Sequence, residues 1–486
     1  MLTGMYTRTA GKMLHTHSHR LPLILLVLLI AATNLPAQNN PTQQAVVPDA
    51  PDLSPEAAPS DPRAQFILGA RSDQQGQYPE ALAWYRKSAE QGYSLAQSAL
   101  GLMYEIGRGV PQDFAQALKW NRLAVAQDNP IAENNLGLMS ARGEGMAADP
   151  GQARQLFEKS AQNGWPPGQA NLAYLYLSGG AKDDVVKAYM WCVLARAAGE
   201  QSCANTLNDS IASLSPPAIQ EGDDLAFSWF QQRMAAPRAN GTVHVNLEML
   251  PVHLGDMYVG GMNVPRNDSA ALKWYQWGAG HGNAAAQARL GEMYLMGLGT
   301  ARDPQQAFGW FRQSAQAGDL RGVRDLGYAL LNGSGTAKDV QHGFELVRKA
   351  ADGGDSEALN LVAYCYEFGL GVPADSTMAV NLYEKGAQSS NLMALNNLAW
   401  IYATSDDPAL RNPGKALEYA AKAAEGSNHK DPAILDTLAA AYFGQAQYAD
   451  AIETEKQALA LKPGDPGFQA RLAKYKQAQG AQAEVK

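Results

Sequence analysis

"YEIGRGVPQDFAQALKW", residues 104–120, is the stretch whose reading decides the fold. It joins a Gly-x-Gly, a Val-Pro, an aspartate and an amphipathic run. Such a loop either cradles a ligand or turns the chain between two helices. The stretch recurs: "MSARGEGMAADPGQARQL" at 139–156, "YLMGLGTARDPQQAFGW" at 294–310, "LLNGSGTAKDVQHGFEL" at 330–346 and "YEFGLGVPADSTMAVNL" at 366–382. Degenerate copies stand at 176–191 and 258–274. A loop used this often is architecture, and a fixed period is the mark of stacked repeats.

The period is 36 residues: Gly101, Gly137 and Ala173 form one series, and Gly255, Gly291, Gly327, Ala363 and Ala399 a second. A shorter copy is marked at Gly69. Each unit reads as helix, loop, helix. Leu100, Gly101 and Tyr104 share one face of the first helix, and Ala117, Trp120 and Ala124 one face of the second. The small residue at the mark lets the two helices approach closely. The loop glycines suit a helix C-terminus in the left-handed region. Asp113, Asp149, Asp303, Asp339 and Asp375 stand where an N-cap is needed, with Gln116 placed to close a capping box. Pro150 and Pro304 occupy the first helical position, where proline costs nothing. The Gly-Lys-Ser/Thr ending of a phosphate-binding loop is missing, so the glycines read as helix stops.

The period breaks between 202 and 247. "SLSPPAIQEGDDLAFSWFQQRM" reads as one extra helix with Leu225, Ala226, Trp229 and Phe230 on its apolar side, and Asp223 and Asp224 as solvated or capping acids. Beyond 428 the Gly-x-Gly disappears and "GQAQYADA" makes a tighter turn, followed by a last polar helix over about 467–478.

The chain has 486 residues, 46% of them hydrophobic, and a formal net charge of -8. It can build a core, and its charge argues against a nucleic-acid groove. At the N-terminus Arg8, Lys12 and Arg20 precede the apolar run "LPLILLVLLIAA" (21–32), and Ala37 offers a small residue for cleavage. This is the pattern of an export signal, with an uncleaved anchor as the alternative. The expected location is exported, periplasmic or secreted, or anchored in the inner membrane. Membrane contact would run only through that segment. Of the three cysteines, Cys192 and Cys203 are close enough to form a disulfide, or remain two half-buried thiols.

These residues resemble the Sel-1-like repeat family, a relative of the tetratricopeptide repeats. The resemblance rests on the pattern A…LG..Y..G.GV..D…A..W…A…G, clearest at 96–128. It implies an all-α fold, an α-solenoid superhelix of stacked helix–loop–helix repeats. The expected organisation is a signal peptide or anchor at 1–37, a proline-rich disordered linker at 38–63, a first array at 64–201, a capping helix and joint at 202–247, a second array at 248–428, a tetratricopeptide-like repeat with a terminal helix at 429–478 and a tail at 479–486. Ala440, Tyr442, Ala449 and Ala458 fall near the small and aromatic positions of that repeat.

What the resemblance implies about function is a scaffold or adaptor that binds protein or peptide partners, in a bacterial cell envelope, secretion or signalling assembly. The wall of such a superhelix is lined by first helices. Positions three before and one after the mark face it: Asn134, Arg324, Asn360 and Asn396, then Tyr174, Asp256, Glu292, Tyr328, Tyr364 and Trp400. Asparagine both donates to and accepts from a peptide backbone, and Tyr and Trp supply contact area at low entropy cost. Packing between repeats is the alternative role. Aromatic faces suit sugars too, so a scaffold for polysaccharide export is a second possibility. A hydrolase acting on cell-wall or β-lactam compounds is a third, for which no residue carries the chemistry. His244, His253, His281, His342 and His429 are scattered, without a paired metal-ligand spacing, and no Gly-x-Ser-x-Gly elbow occurs. No cofactor, no metal and no catalytic residue is expected.

Overall fold

The structure, a computed structural model, describes residues 60–179, 181–236 and 245–485. The export segment, the linker up to residue 59 and His244 lie outside the described residues. Among those described there are 23 helices and no strand. They fall into two compact units, one ending at Ala270 and one beginning at Ala271.

The first unit holds α1 (Pro62–Gln74), α2 (Tyr78–Glu90), α3 (Ser94–Ile106), α4 (Phe114–Val125), α5 (Pro130–Arg142), α6 (Pro150–Gln162), α7 (Pro166–Gly179), α8 (Lys182–Ala197), α9 (Ala204–Ser213), α10 (Pro216–Ala235) and α11 (Leu250–Gly260). The boundary lies inside α12 (Asp268–Gly280). The second unit continues with α13 (Ala284–Met296), α14 (Pro304–Gln316), α15 (Leu320–Asn332), α16 (Val340–Asp352), α17 (Ser356–Phe368), α18 (Ser376–Gln388), α19 (Leu392–Thr404), α20 (Pro413–Gly426), α21 (Pro432–Gly444), α22 (Tyr448–Leu461) and α23 (Pro466–Val485). Each helix packs mainly on its sequence neighbours, and first helices also touch the first helices of the next repeat, as α13 does α15 and α19 does α21. This nearest-neighbour packing is that of an all-α repeat solenoid.

Within a repeat the small mark residue receives the partner helix. A Cβ on Gly137 would stand 2.7 Å from the Phe157 ring. Gly291 is seated in the same way against Phe311, and Gly327 against Val347. The expected stripes are buried: Leu100, Ala117 and Ala124 are closed to solvent, and Trp120 nearly so.

The recurring loop does three jobs. Its first glycine ends the first helix: Gly107, Gly143, Gly297, Gly333 and Gly369 all have φ between 66° and 72°, and Gly333 donates its N–H to the Ala329 carbonyl. Its aspartate then starts the second helix. Asp113 accepts from the Gln116 N–H at 3.0 Å, and Asp149, Asp303, Asp339 and Asp375 repeat the bond. The expected capping box does not close at Gln116, because the cap's own N–H is already used. Asp113 N–H donates to the Tyr104 carbonyl at 2.9 Å, back in the first helix, and the other four aspartates do the same to Ser140, Tyr294, Leu330 and Tyr366. Each aspartate therefore ties both helices of its repeat together.

The second glycine of the loop joins one repeat to the next. A Cβ on Gly335 (φ 74°) would overlap the Pro304 carbonyl at the start of α14, and one on Gly371 would overlap the Val340 carbonyl at the start of α16. Positive φ and close approach act at the same residue, so glycine alone fits.

The break in the period holds two helices, not one. α9 was missed because "ANTLNDSIAS" is short and polar; α10 begins where Pro216 follows Ser215. On α10, Ala226, Trp229 and Phe230 are buried as expected, but Leu225 is exposed and Phe227 takes its place. Asp223 is not solvated. It is buried and accepts hydrogen bonds from the hydroxyls of Tyr189 on α8 and Tyr258 on α11, pinning three helices at one carboxylate. In the terminal repeat Ala440 and Ala458 are buried, whereas Ala449 is exposed and Ala451 fills the core position. The last helix runs further than expected, to Val485.

Two predictions follow from the loop. Gly335→Ala combines backbone strain with a carbonyl clash and should cost more than ~2 kcal/mol, while Gly76→Ala, with the same φ (76°) and nothing nearby, should cost only about 1 kcal/mol. Urea midpoints of the two variants measure the difference. Asp303 is held below the ordinary carboxylate range, chiefly by the backbone N–H of Gln306. Its stabilisation is therefore present above the unfolded value near pH 4 and is lost as pH falls through the lower folded value. Asp303→Ala should lower the melting temperature at neutral pH and narrow its gap to the native chain under strong acid.

Candidate binding groove in the second unit

Side-chain caps at Asn283, Asp319, Asp355 and Asn391 start α13, α15, α17 and α19, and those four first helices line a groove with a cavity of about 130 Å³. That is room for several waters or one large side chain. Its apolar part is Leu295, Met296, Phe311, Leu361 and Met393. Phe311 belongs to a second helix and reaches the groove because Gly291 leaves space for its ring. The polar part is Arg324, Tyr328, Asn360, Tyr364 and Asn397, with the acids Glu292, Asp325 and Glu357.

Four of the residues expected from the sequence, Arg324, Tyr328, Asn360 and Tyr364, therefore meet in one place. So does Glu292, from the set one after the mark. Asn396 and Trp400 do not line this groove. Asn397, one residue on, does, and Asn396 is turned inward and buried. Trp400 lies with its ring against the Arg471 guanidinium, 5.5 Å away, because α23 packs over this end of the array. α19 keeps the 36-residue spacing of α15 and α17, and Asn397 stands at the position from which Asp325 and Leu361 line the groove.

Asn134 and Tyr174 belong to the first unit. Asn134 is buried and accepts from the Asn171 amide at 2.8 Å, while Tyr174 is exposed. In the second unit Asn360 accepts from the Asn397 amide at 3.3 Å. The two pairs are equivalent, each joining neighbouring first helices. These asparagines tie repeats together, the alternative role set out for them. Asn360 and Asn397 do so while still lining the groove.

Arg324 occupies the asparagine position on α15 and reaches the next repeat by charge. Its guanidinium meets Asp325 at 2.8 Å, Asp355 at 3.3 Å, Glu292 at 3.4 Å and also Glu357. Glu292 is shared further with Arg321 at 3.0 Å and Arg289 at 3.3 Å. Asp355 uses its other oxygen to cap α17 at the Ala358 N–H. Burial alone would raise Glu292, but Arg321, Arg289 and Arg324 pull it below the ordinary carboxylate range. Burial lowers Arg324, and the surrounding acids more than reverse this, so it stays charged. Asp325 is different. Burial pushes it up to about 8, with Arg324 only partly opposing and Glu292 adding. Its Oδ2 is buried with no hydrogen-bond partner among the described residues. The repeat spacing puts Arg324 and Glu292 on one wall, but no single stretch of residues shows that they pair, since the network's members are spread over three repeats.

No group of three His, Cys, Asp or Glu suited to a metal ion occurs among the described residues. Cys192 and Cys203 are two free, buried thiols that face each other's backbone carbonyls at 3.5 Å; Cys365 is buried and free. Burial of the Cys365 thiol pushes it up to about 12, so it is unreactive at neutral pH.

The chain is similar to several known proteins. The rat DAP3-binding cell death enhancer 1 is 33% identical over 225 residues, 46% of this chain and 35% of the rat protein. The chain thus spans about a third of that relative's length. Among solved structures, a protective antigen of uropathogenic Escherichia coli displaying an SLR fold is 28% identical, covering 90% of this chain and 82% of the other, with a TM-score of 0.46. A Sel1 repeat protein from Oxalobacter formigenes is 22% identical, covering 67% and 96%, with a TM-score of 0.35. The Sel1 repeat pattern itself matches residues 62–93, 94–129, 130–165, 166–200, 252–283, 284–319, 322–355, 356–391 and 392–428. Those segments make up well over half of the sequence and coincide with helix pairs, five of which are tied by the aspartate loop, and the chain belongs to the Sel1 repeat family.

Proposed function

We propose that this protein is an exported, non-enzymatic scaffold that holds an extended segment of a protein partner in the groove of its second unit. The observation that carries the proposal is that four successive repeats contribute to one cavity combining an apolar lining with Tyr328, Tyr364, Asn360 and Asn397. An apolar pocket with a few placed polar groups is the usual form of a recognition site. Tyr328 and Tyr364 are half-buried, so each has a face to offer, and both keep neutral hydroxyls because burial raises them. The amide atoms of Asn360 and Asn397 not used in their mutual bond suit a peptide backbone. The name of the rat relative records binding to a protein, the same class of role. Export rests on the charged and apolar pattern of residues 8–32 alone; fractionation of cells expressing the whole chain tests it, and a wholly cytoplasmic product would overturn that part.

The groove is tested by selecting a displayed library of random peptides against the full chain. Interface energy concentrates in a few large side chains. Tyr328→Ala with Tyr364→Ala should weaken the selected peptides by at least about tenfold, equivalent to ~1.4 kcal/mol, while the exposed cap variant Asp149→Ala leaves them unchanged. Equal binding by a folded double variant would show that the peptides sit elsewhere.

A further inference from the structure

The charges around the groove narrow the kind of peptide it takes. Three carboxylates line it, Glu292, Asp325 and Glu357, against one guanidinium, Arg324. Arg324 is already paired with all three and with Asp355. It has little left for an acidic ligand, which would have to displace one of the protein's own carboxylates. Glu357 is the most open member, with 35% of its side chain exposed, and it needs only turn to meet a cation. Asp325 Oδ2 stands buried and without a hydrogen-bond partner among the described residues. The groove is thus prepared for an added positive charge, beside a lining of Leu295, Met296, Phe311, Leu361 and Met393 that takes an apolar side chain.

We propose that the groove recognises an extended peptide in which a large apolar residue is accompanied by a lysine or arginine on the same face. Alternate side chains of an extended chain point to one side, so the expected motif is apolar-x-basic. The apolar residue fills the cavity, and the cation pairs with Glu357 and Asp325 on its flank. This inference rests on the groove being a peptide site and goes beyond it by fixing the partner's charge.

A pH dependence supports the assignment. Asp325 faces Arg324 and Arg321 on its own helix, Glu292 and Arg289 on α13, and Asp355 and Glu357 at the start of α17, with Tyr328 and Tyr364 alongside in the groove. An arginine on the peptide stays charged throughout the accessible range. It favours the ionised form of Asp325, which burial pushes up to about 8 in the free protein, so binding of an arginine peptide should strengthen as pH rises towards about 8 and level off above it.

The experiment sequences the peptides selected against the full chain and resynthesises the strongest as three versions, with arginine, glutamine or glutamate at the varied position. The expected result is enrichment of basic residues two positions from a large apolar one, with the arginine version at least tenfold tighter than the glutamate version at pH 8. Asp325→Asn and Glu357→Gln, each confirmed folded by its melting curve, should reduce that ratio, and Asp325→Asn should remove the pH dependence. Binders that are acidic or indifferent to charge would overturn this proposal while leaving the groove as a peptide site. So would an arginine preference unchanged in both variants. If no peptide is selected, or if binders ignore Tyr328 and Tyr364, both proposals fall together.

Discussion

The interaction on which the rest of this fold depends is the double use of one aspartate in each of five repeats, a role that Asn267 and Asn412 take in two more. Its carboxylate caps the second helix, and its N–H bonds to a carbonyl near the end of the first. A helix terminus leaves several backbone groups without partners. Here one residue supplies both an acceptor for one helix and a donor for the other, across a loop of only a few residues. The angle between the helices of a repeat is thereby held by hydrogen bonds at the loop and by ring-on-glycine contacts in the middle, such as Phe311 on Gly291. The second loop glycine then seats each repeat on the one before it.

This regularity has a direct consequence for the groove. Because α13, α15 and α17 are presented in the same way, residues at equivalent positions become neighbours. Asn134 and Asn360 each accept from an asparagine on the next first helix, one residue beyond the equivalent position, Asn171 and Asn397. Where the position of Asn134 and Asn360 holds Arg324, the tie becomes ionic and draws in acids from three repeats. Replacing a neutral tie by a buried charge is costly unless every partner is present. The carboxylates gathered around Arg324 meet that demand, and Asp325 is the member left incompletely satisfied. The same groups that join the repeats thus give the groove its electrostatic character.

Much of this was legible in the residues. The 36-residue spacing, the glycine stops, the aspartate caps and the small residue at each helix crossing are local features with local causes, and each appears where the pattern puts it. Arg324, Tyr328, Asn360 and Tyr364 follow from the same spacing, since a constant period places equivalent residues side by side. What the spacing does not show is what packs on each position. Trp400 and Asn396 sit on α19, which is followed by a different kind of repeat: Arg471 of the terminal helix lies over Trp400, and Asn396 is buried, as Asn134 is at the equivalent position of α5.

The sequence by itself determined the elements: an all-α repeat chain, its loop chemistry and the helix faces that pack. Those depend on contacts within one period, and any single copy displays them. Only the tertiary structure decided which polar groups find one another across periods. Asp223 looked like a surface acid and is the buried acceptor of two tyrosines from helices far apart in the chain. The Arg324 network likewise depends on side chains brought together by stacking, from Glu292 to Glu357. Burial and partner choice are properties of several repeats at once, and no single stretch of residues encodes them.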